Sequence, residues 1–208
     1  MAVAFDAATN TAFDTTDTKT TSHTATGSDR VAILIFRSAS TAAPTSVTYG
    51  GTAMTSLGSK TDAAGNNVEI LYLLSPATGA QTVSCTGGTT GWTFTCCTYT
   101  GGNAVNNFLG ASGGVGTSST VTITSATDNI VVGGVMLETV ADANIAAGAG
   151  QTLRSAASNR HASSDEAGEA STVHSYSWVA SLLWTTAGCN IAAGIQVTAS
   201  NNWLLMGV

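Results

Sequence analysis

The chain has 208 residues, of which 9% are charged, 43% hydrophobic and 6% aromatic, and its formal net charge is −6. Thr, Ala, Gly and Ser number 35, 33, 23 and 22. Six Lys and Arg spread over the whole length cannot make the basic patch that a nucleic-acid binder needs, scarce Glu and Lys exclude coiled coils and helical bundles, and two Pro without a Gly triplet exclude collagen.

In chain order, residues 1–28 are rich in Thr, Ala and Asp, with poor periodicity and with Phe5 and Phe13 as isolated anchors. They read as an N-terminal arm or a loosely paired edge, of the kind that reaches a partner subunit or docks locally. No basic region followed by an apolar run opens the chain, so no secretory signal is expected. Residues 31–36 (VAILIF) form a continuous apolar run and predict a buried central strand. A short strand from Val47 ends in the Gly50-Gly51 turn. Residues 62–67 are a turn cluster, and residues 68–74 (VEILYLL) predict a second strong strand. Residues 81–85 alternate, and residues 92–100 follow with Trp92, Phe94 and Cys96 on one face and Thr93, Thr95 and Cys97 on the other.

The second half repeats this grammar. A Gly/Ser loop is expected over 110–119. Residues 130–137 predict a buried strand whose Gly133-Gly134 pair suggests a bulge or a close backbone approach. Residues 155–170 hold the densest charge and are placed on an exposed loop. Strands are expected over 172–184, 191–198 and 203–206. Ten to twelve short strands with regular turn signals, and no linker between them, describe one all-β domain over 29–208: an antiparallel β-sandwich, jelly-roll-like.

The residues offer little chemistry. Cys85, Cys96, Cys97 and Cys189 form no C-x-x-C pair and the three His are scattered, so no metal site is expected. Cys96 and Cys97 point to opposite faces, so only one should reach the core. Cys85 and Cys96 lie on consecutive strands, where either a disulfide or two buried thiols fit. No G-x-S-x-G elbow is present. His161 with Asp165 and Glu166 reads as a solvated loop, and Glu69 as an outward strand residue. Glu138 is a second carboxylate beside a strong strand; glycosidases use two at a set separation, which distance in sequence does not establish. His174, Tyr176 and Trp178 share a face that suits either the core or a sugar ring. Trp92 and Trp178 are the candidates for glycan stacking. No catalytic residue or cofactor is assigned, and no apolar stretch is long enough for a membrane span.

The segments VTYGGTAM (47–54), EILYLLSPATG (69–79), QTVSC (81–85) and GQT (150–152) together resemble a Thr/Gly-rich jelly-roll-like module of bacteriophage virion proteins and bacterial surface proteins. Trp203 before residues 204–206 matches its usual ending. The resemblance covers roughly residues 29–155. It implies a structural or binding module rather than an enzyme: a capsid decoration (cement) protein on the virion, partnered by the major capsid protein and by copies of itself as a homotrimer or other homo-oligomer. Val3, Phe5 and Phe13 would then be interface residues. Two alternatives are a carbohydrate-binding or adhesive module of a fibre or cell-surface protein, and a filament subunit that donates residues 1–28 to the next copy.

Overall fold

A computed structural model describes residues 1–87, 90–138, 144–155 and 160–194. Fifteen strands and no helix occur among them. In chain order they are β1 (Ala4–Asn10), β2 (Thr18–Ala25), β3 (Val31–Ser38), β4 (Ser46–Tyr49), β5 (Thr52–Ala53), β6 (Thr55–Thr61), β7 (Asn67–Leu74) and β8 (Gly79–Thr86). They continue as β9 (Trp92–Thr100), β10 (Gly102–Thr124), β11 (Ile130–Leu137), β12 (Ala146–Ala147), β13 (Thr152–Leu153), β14 (His161–Ala167) and β15 (Ser171–Ala193).

All pairings are antiparallel, and the chain is an all-β sandwich. A central sheet has the order β1-β9-β3-β7-β6, flanked by a sheet of order β2-β8-β4-β5 and another of order β10-β15-β11-β14-β13. Strand β3 explains this layering. All eight of its residues are buried. Val31, Ile33 and Ile35 pack with Val132, Met136, Cys189 and Ile191 of the six-stranded sheet. Ala32, Leu34 and Phe36 pack with Val47, Tyr49, Val83 and Cys85 of the four-stranded sheet. A strand with no polar alternation needs cover on both faces, and a single facing sheet supplies only one.

The same cover corrects one cysteine reading and decides between the two alternatives of another. Cys96 and Cys97 are both buried because both faces of β9 are roofed. Cys85 and Cys96 share one apolar cluster across the sheet interface, and both are free thiols, so no disulfide joins them.

The expected arm over 1–28 is two edge strands. β1 pairs with β9 and β2 with β8. Val3 is buried and its amide donates to Asp128 O at 2.7 Å. Alternation failed as a signal because β1, which reads AFDAATN, is partly covered on both faces. The Gly50-Gly51 turn appears as expected: φ is 56° and 80°, the two left-handed residues that a tight hairpin connection requires.

Strands β10 and β15 run 23 residues each, so the expected Gly/Ser loop over 110–119 is strand. Their ladder is irregular between Gly113 and Ser118, opposite residues 177–184. There the ribbon folds back on itself. Asn107 Nδ2 donates to Thr124 O at 2.6 Å, 17 residues along the same strand. The inner half of the ribbon continues the six-stranded sheet, and the outer half lies over that sheet as a fourth layer. Tyr176, Trp178 and Leu182 of the outer half pack on Val135, Leu137 and Ala162. The strand expected over 203–206, and the end of that over 191–198, lie outside the described residues.

Gly133 and Gly134 serve close approach rather than a bulge, since the register of β11 runs unbroken through them. A Cβ on Gly134 would stand 2.7 Å from Ile35 Cγ2 and 3.2 Å from Ala162 O. Gly134→Ala is therefore expected to cost about 1–3 kcal/mol, measured by urea unfolding. Gly114→Ala, where a Cβ meets nothing within 4 Å, is the control and should stay within about 0.5 kcal/mol.

Candidate functional site

The residues with chemistry gather around β14. Its first five residues are buried, so the expected exposed loop over 155–170 is largely a core strand between β11 and β13. Its side chains alternate. His161, Ser163 and Asp165 face the central sheet, while Ser164 and Glu166 face the outer ribbon.

On the ribbon side, His174 Nδ1 lies 2.8 Å from Glu166 Oε1 and His174 Nε2 lies 3.1 Å from Ser164 Oγ. With Nδ1 donating to the carboxylate, Nε2 is left to accept. This is the order of a hydroxyl–imidazole–carboxylate triad. Sequence inspection missed it because it paired Glu166 with His161, whereas the partner is His174 on the next strand. Ser164 and His174 have no exposed surface. Tyr176 OH stands 2.8 Å from Ser164 Oγ and donates to Gly133 O at 2.9 Å. Gln151 Oε1, also 3.1 Å from Ser164 Oγ, competes with His174 Nε2 for the one hydroxyl proton. Every polar group here is engaged with a neighbour, and the network ties the outer ribbon to β14.

On the central side, Asp165 receives Tyr99 OH at 2.9 Å, Arg154 Nε at 2.8 Å and Arg154 Nη2 at 2.8 Å. The Arg154 guanidinium lies 3.5 Å from the Phe5 ring centroid, and Phe5 meets Tyr99 edge-on at 5.9 Å. Phe13 stacks with His161 at 5.7 Å and sits under Arg160 at 4.9 Å. The proposed interface residues Val3, Phe5 and Phe13 thus pack against their own chain's core. The half-buried pair, Phe5 and Phe13, is held by cation–π contacts. A groove of about 450 Å³ beside Phe5 is lined also by Asp128, Arg154, Asp165 and Glu166.

Neither glycan candidate offers a platform. Trp92 is fully buried between Phe36 and Phe94, its Nε1 donates to Thr16 O at 2.8 Å, and Lys19 Nζ lies 4.7 Å from its ring. Trp178 is 5% exposed and donates to Gly116 O at 2.8 Å. Indole rings with a partner for the N–H are natural core residues. Glu69, expected to face outward, is 5% exposed; Glu138 is exposed. Among the described residues no three His, Cys, Asp or Glu side chains stand close enough to hold a metal ion.

What the surface does present is the outer half of the ribbon. Its buried face carries His174, Tyr176 and Trp178, and its open face carries Val173, Ser175, Ser177 and Val179, opposite Thr122, Thr120 and Ser118. Val173, Val179 and Val115 are 54%, 69% and 70% exposed. Strand β10 is the outermost strand of its sheet, and no Lys, Arg, Asp, Glu or Pro occurs anywhere along it.

No protein-family model matches the chain, and no curated protein or solved structure is found to be similar to it.

Two outcomes test this description. His174→Ala leaves Ser164 and Tyr176 short of a partner and is expected to cost about 1–3 kcal/mol. Hydrogen exchange should quicken over residues 171–182 more than over 184–193; a uniform increase would contradict the tie to β14. Glu69 accepts from Ser56 Oγ at 2.6 Å while its Oε2 has no partner. Burial pushes its carboxyl up against the lowering effect of that hydroxyl. The folded chain therefore holds this proton more tightly than the unfolded chain. Stability falls as pH rises from the ordinary value of 4.5 through the raised one. Glu69→Gln should raise stability at about pH 8 and give little gain at about pH 4, as read from unfolding midpoints.

Proposed function

We propose that this chain is a structural virion protein, a capsid decoration (cement) protein that binds the coat shell and copies of itself. The observation that carries the assembly part is the outer ribbon: an uncharged open face with three exposed valines beside an uncharged edge. Natural sheets blunt such edges with Lys, Pro or inward charge, and this one carries none of them. A face of Thr, Ser and Val suits dry packing against another protein, with little dependence on salt. The virion setting rests on the resemblance of residues 47–54, 69–79, 81–85 and 150–152 to phage virion modules.

The alternatives have less support. The two tryptophans named for glycan stacking are core residues. The segment named for strand donation is already paired within its own sheets.

The test uses mature capsids of the encoding phage. The protein is expected to bind them and to raise their heat resistance. Val115→Lys together with Val179→Lys should abolish binding while shifting the protein's own stability by no more than about 0.5 kcal/mol, since both side chains are exposed. Capsids that gain no heat resistance, or that bind the lysine variant equally well, would sink the proposal.

A further inference from the structure

Arg37 is the largest charged side chain in the interior, with no exposed surface. It sits on β3 two residues beyond Ile35, on the face turned to the six-stranded sheet. Its Nη2 donates to Thr95 Oγ1, while Nε and Nη1 have no hydrogen-bond partner. Thr95 cannot supply a negative charge. Its hydroxyl donates to Asn10 Oδ1 at 2.6 Å and also receives Ser163 Oγ at 3.1 Å. No carboxylate pairs with the guanidinium among the described residues; Asp14 pairs with Lys19, Asp165 pairs with Arg154, and Glu166 is hydrogen-bonded to His174.

The titratable groups around it stay neutral. Burial pushes the Cys97 thiol up to about 12 and pushes the Tyr176 hydroxyl up as well. Burial, with Arg37 itself next, lowers His161 to about 2. Arg37 is lowered by its own burial only to about 10, so it remains a cation at neutral pH. A buried guanidinium with two unpartnered nitrogens, bearing three N–H groups, and no internal counter-charge is strongly disfavoured. Guanidinium N–H groups form a fork that matches an anion.

We infer that the interface between the central and six-stranded sheets holds a small monovalent anion, of the size of chloride, bound to Arg37 Nε and Nη1. The surrounding groups set the class. Thr93, Thr95 and Ser163 are, like Arg37, without exposed surface and are neutral, so the enclosed single positive charge calls for one negative charge on a small ion. The anion neutralises the charge and is taken up as the sheets close, so folding and anion binding are linked.

Thermal unfolding at constant ionic strength, with chloride replaced by gluconate, tests this. Wild-type Tm should rise by about 3–5 °C for each tenfold increase in chloride above the dissociation constant, and Arg37→Met should show no such rise. Equal Tm in the two salts, or the same slope in the variant, overturns the inference. Crystals of the wild-type protein in bromide add a second arm that does not depend on the variant folding. An anomalous peak within hydrogen-bond reach of Arg37 Nε and Nη1 supports the site. Water alone at that place overturns it, as does a peak without any effect of halide on Tm, which marks an adventitious ion only.

Discussion

The whole architecture depends on a constraint imposed by β3: eight consecutive buried residues with no side that can meet water. Its neighbours β7 and β9 carry the requirement sideways, since Asn67–Ile70 and most of β9 are buried as well. Two further sheets must therefore pack against the central one. The cysteines follow from this. Thiols are small and apolar enough for either face, and all four are enclosed. The edge strands β1 and β2 follow too, because the roof over β9 needs chain on both sides of it.

A core built this way has little room for charge, and the polar groups inside it are handled in two different manners. Around β14 they are matched in pairs and chains: Asp165 with Arg154 and Tyr99, Glu166 with His174, Ser164 with Tyr176. Each of these donors reaches an acceptor within 3.2 Å, which keeps their desolvation penalty low. Lys19 is a further case. It is 6% exposed, yet its ammonium donates to Ala12 O and Trp92 O and pairs with Asp14. Arg37 stands apart, because its neighbours are neutral hydroxyls already committed elsewhere. Among these groups the contrast isolates Arg37 as the one whose position protein contacts do not explain.

Strands with continuous apolar runs were legible in the sequence, because burial on both faces leaves no alternation to misread. Residues 31–36, 68–74 and 130–137 fall within β3, β7 and β11. The all-β class and the Gly50-Gly51 turn were legible for the same local reason. What failed was everything whose burial depends on distant partners. β14 reads HASSDEA, which looks like a loop until Thr95 and Tyr99 are brought to it from a strand far away in the chain. The Gly/Ser stretch in β10 looks like a loop until β15 pairs with it over both halves. Trp92 and Trp178 left two readings open, core or glycan platform, and the cover from distant strands decides for the core. The Glu166–His174 pairing was within reach. Both residues flank one short turn between β14 and β15, and period-two alternation puts Ser164 and Glu166 on one face.

The scarcity of charge separates the two sides of the outer ribbon in a specific way. Its inner side uses His174 and Tyr176 to fasten itself to β14, and its outer side has no titratable residue. A solvated sheet face is normally kept from association by lysine or glutamate, and a monomer that never meets a partner gains nothing by omitting them. Polarity here comes instead from hydroxyls, which hydrogen-bond water when free and a neighbouring backbone when covered. Such a face stays soluble before assembly and loses little solvation on contact, whereas a charged face would pay desolvation for each ion. That asymmetry between a fastened inner side and an unguarded outer side is the physical reason why the proposed contacts with other subunits are placed on the ribbon rather than on residues 1–28.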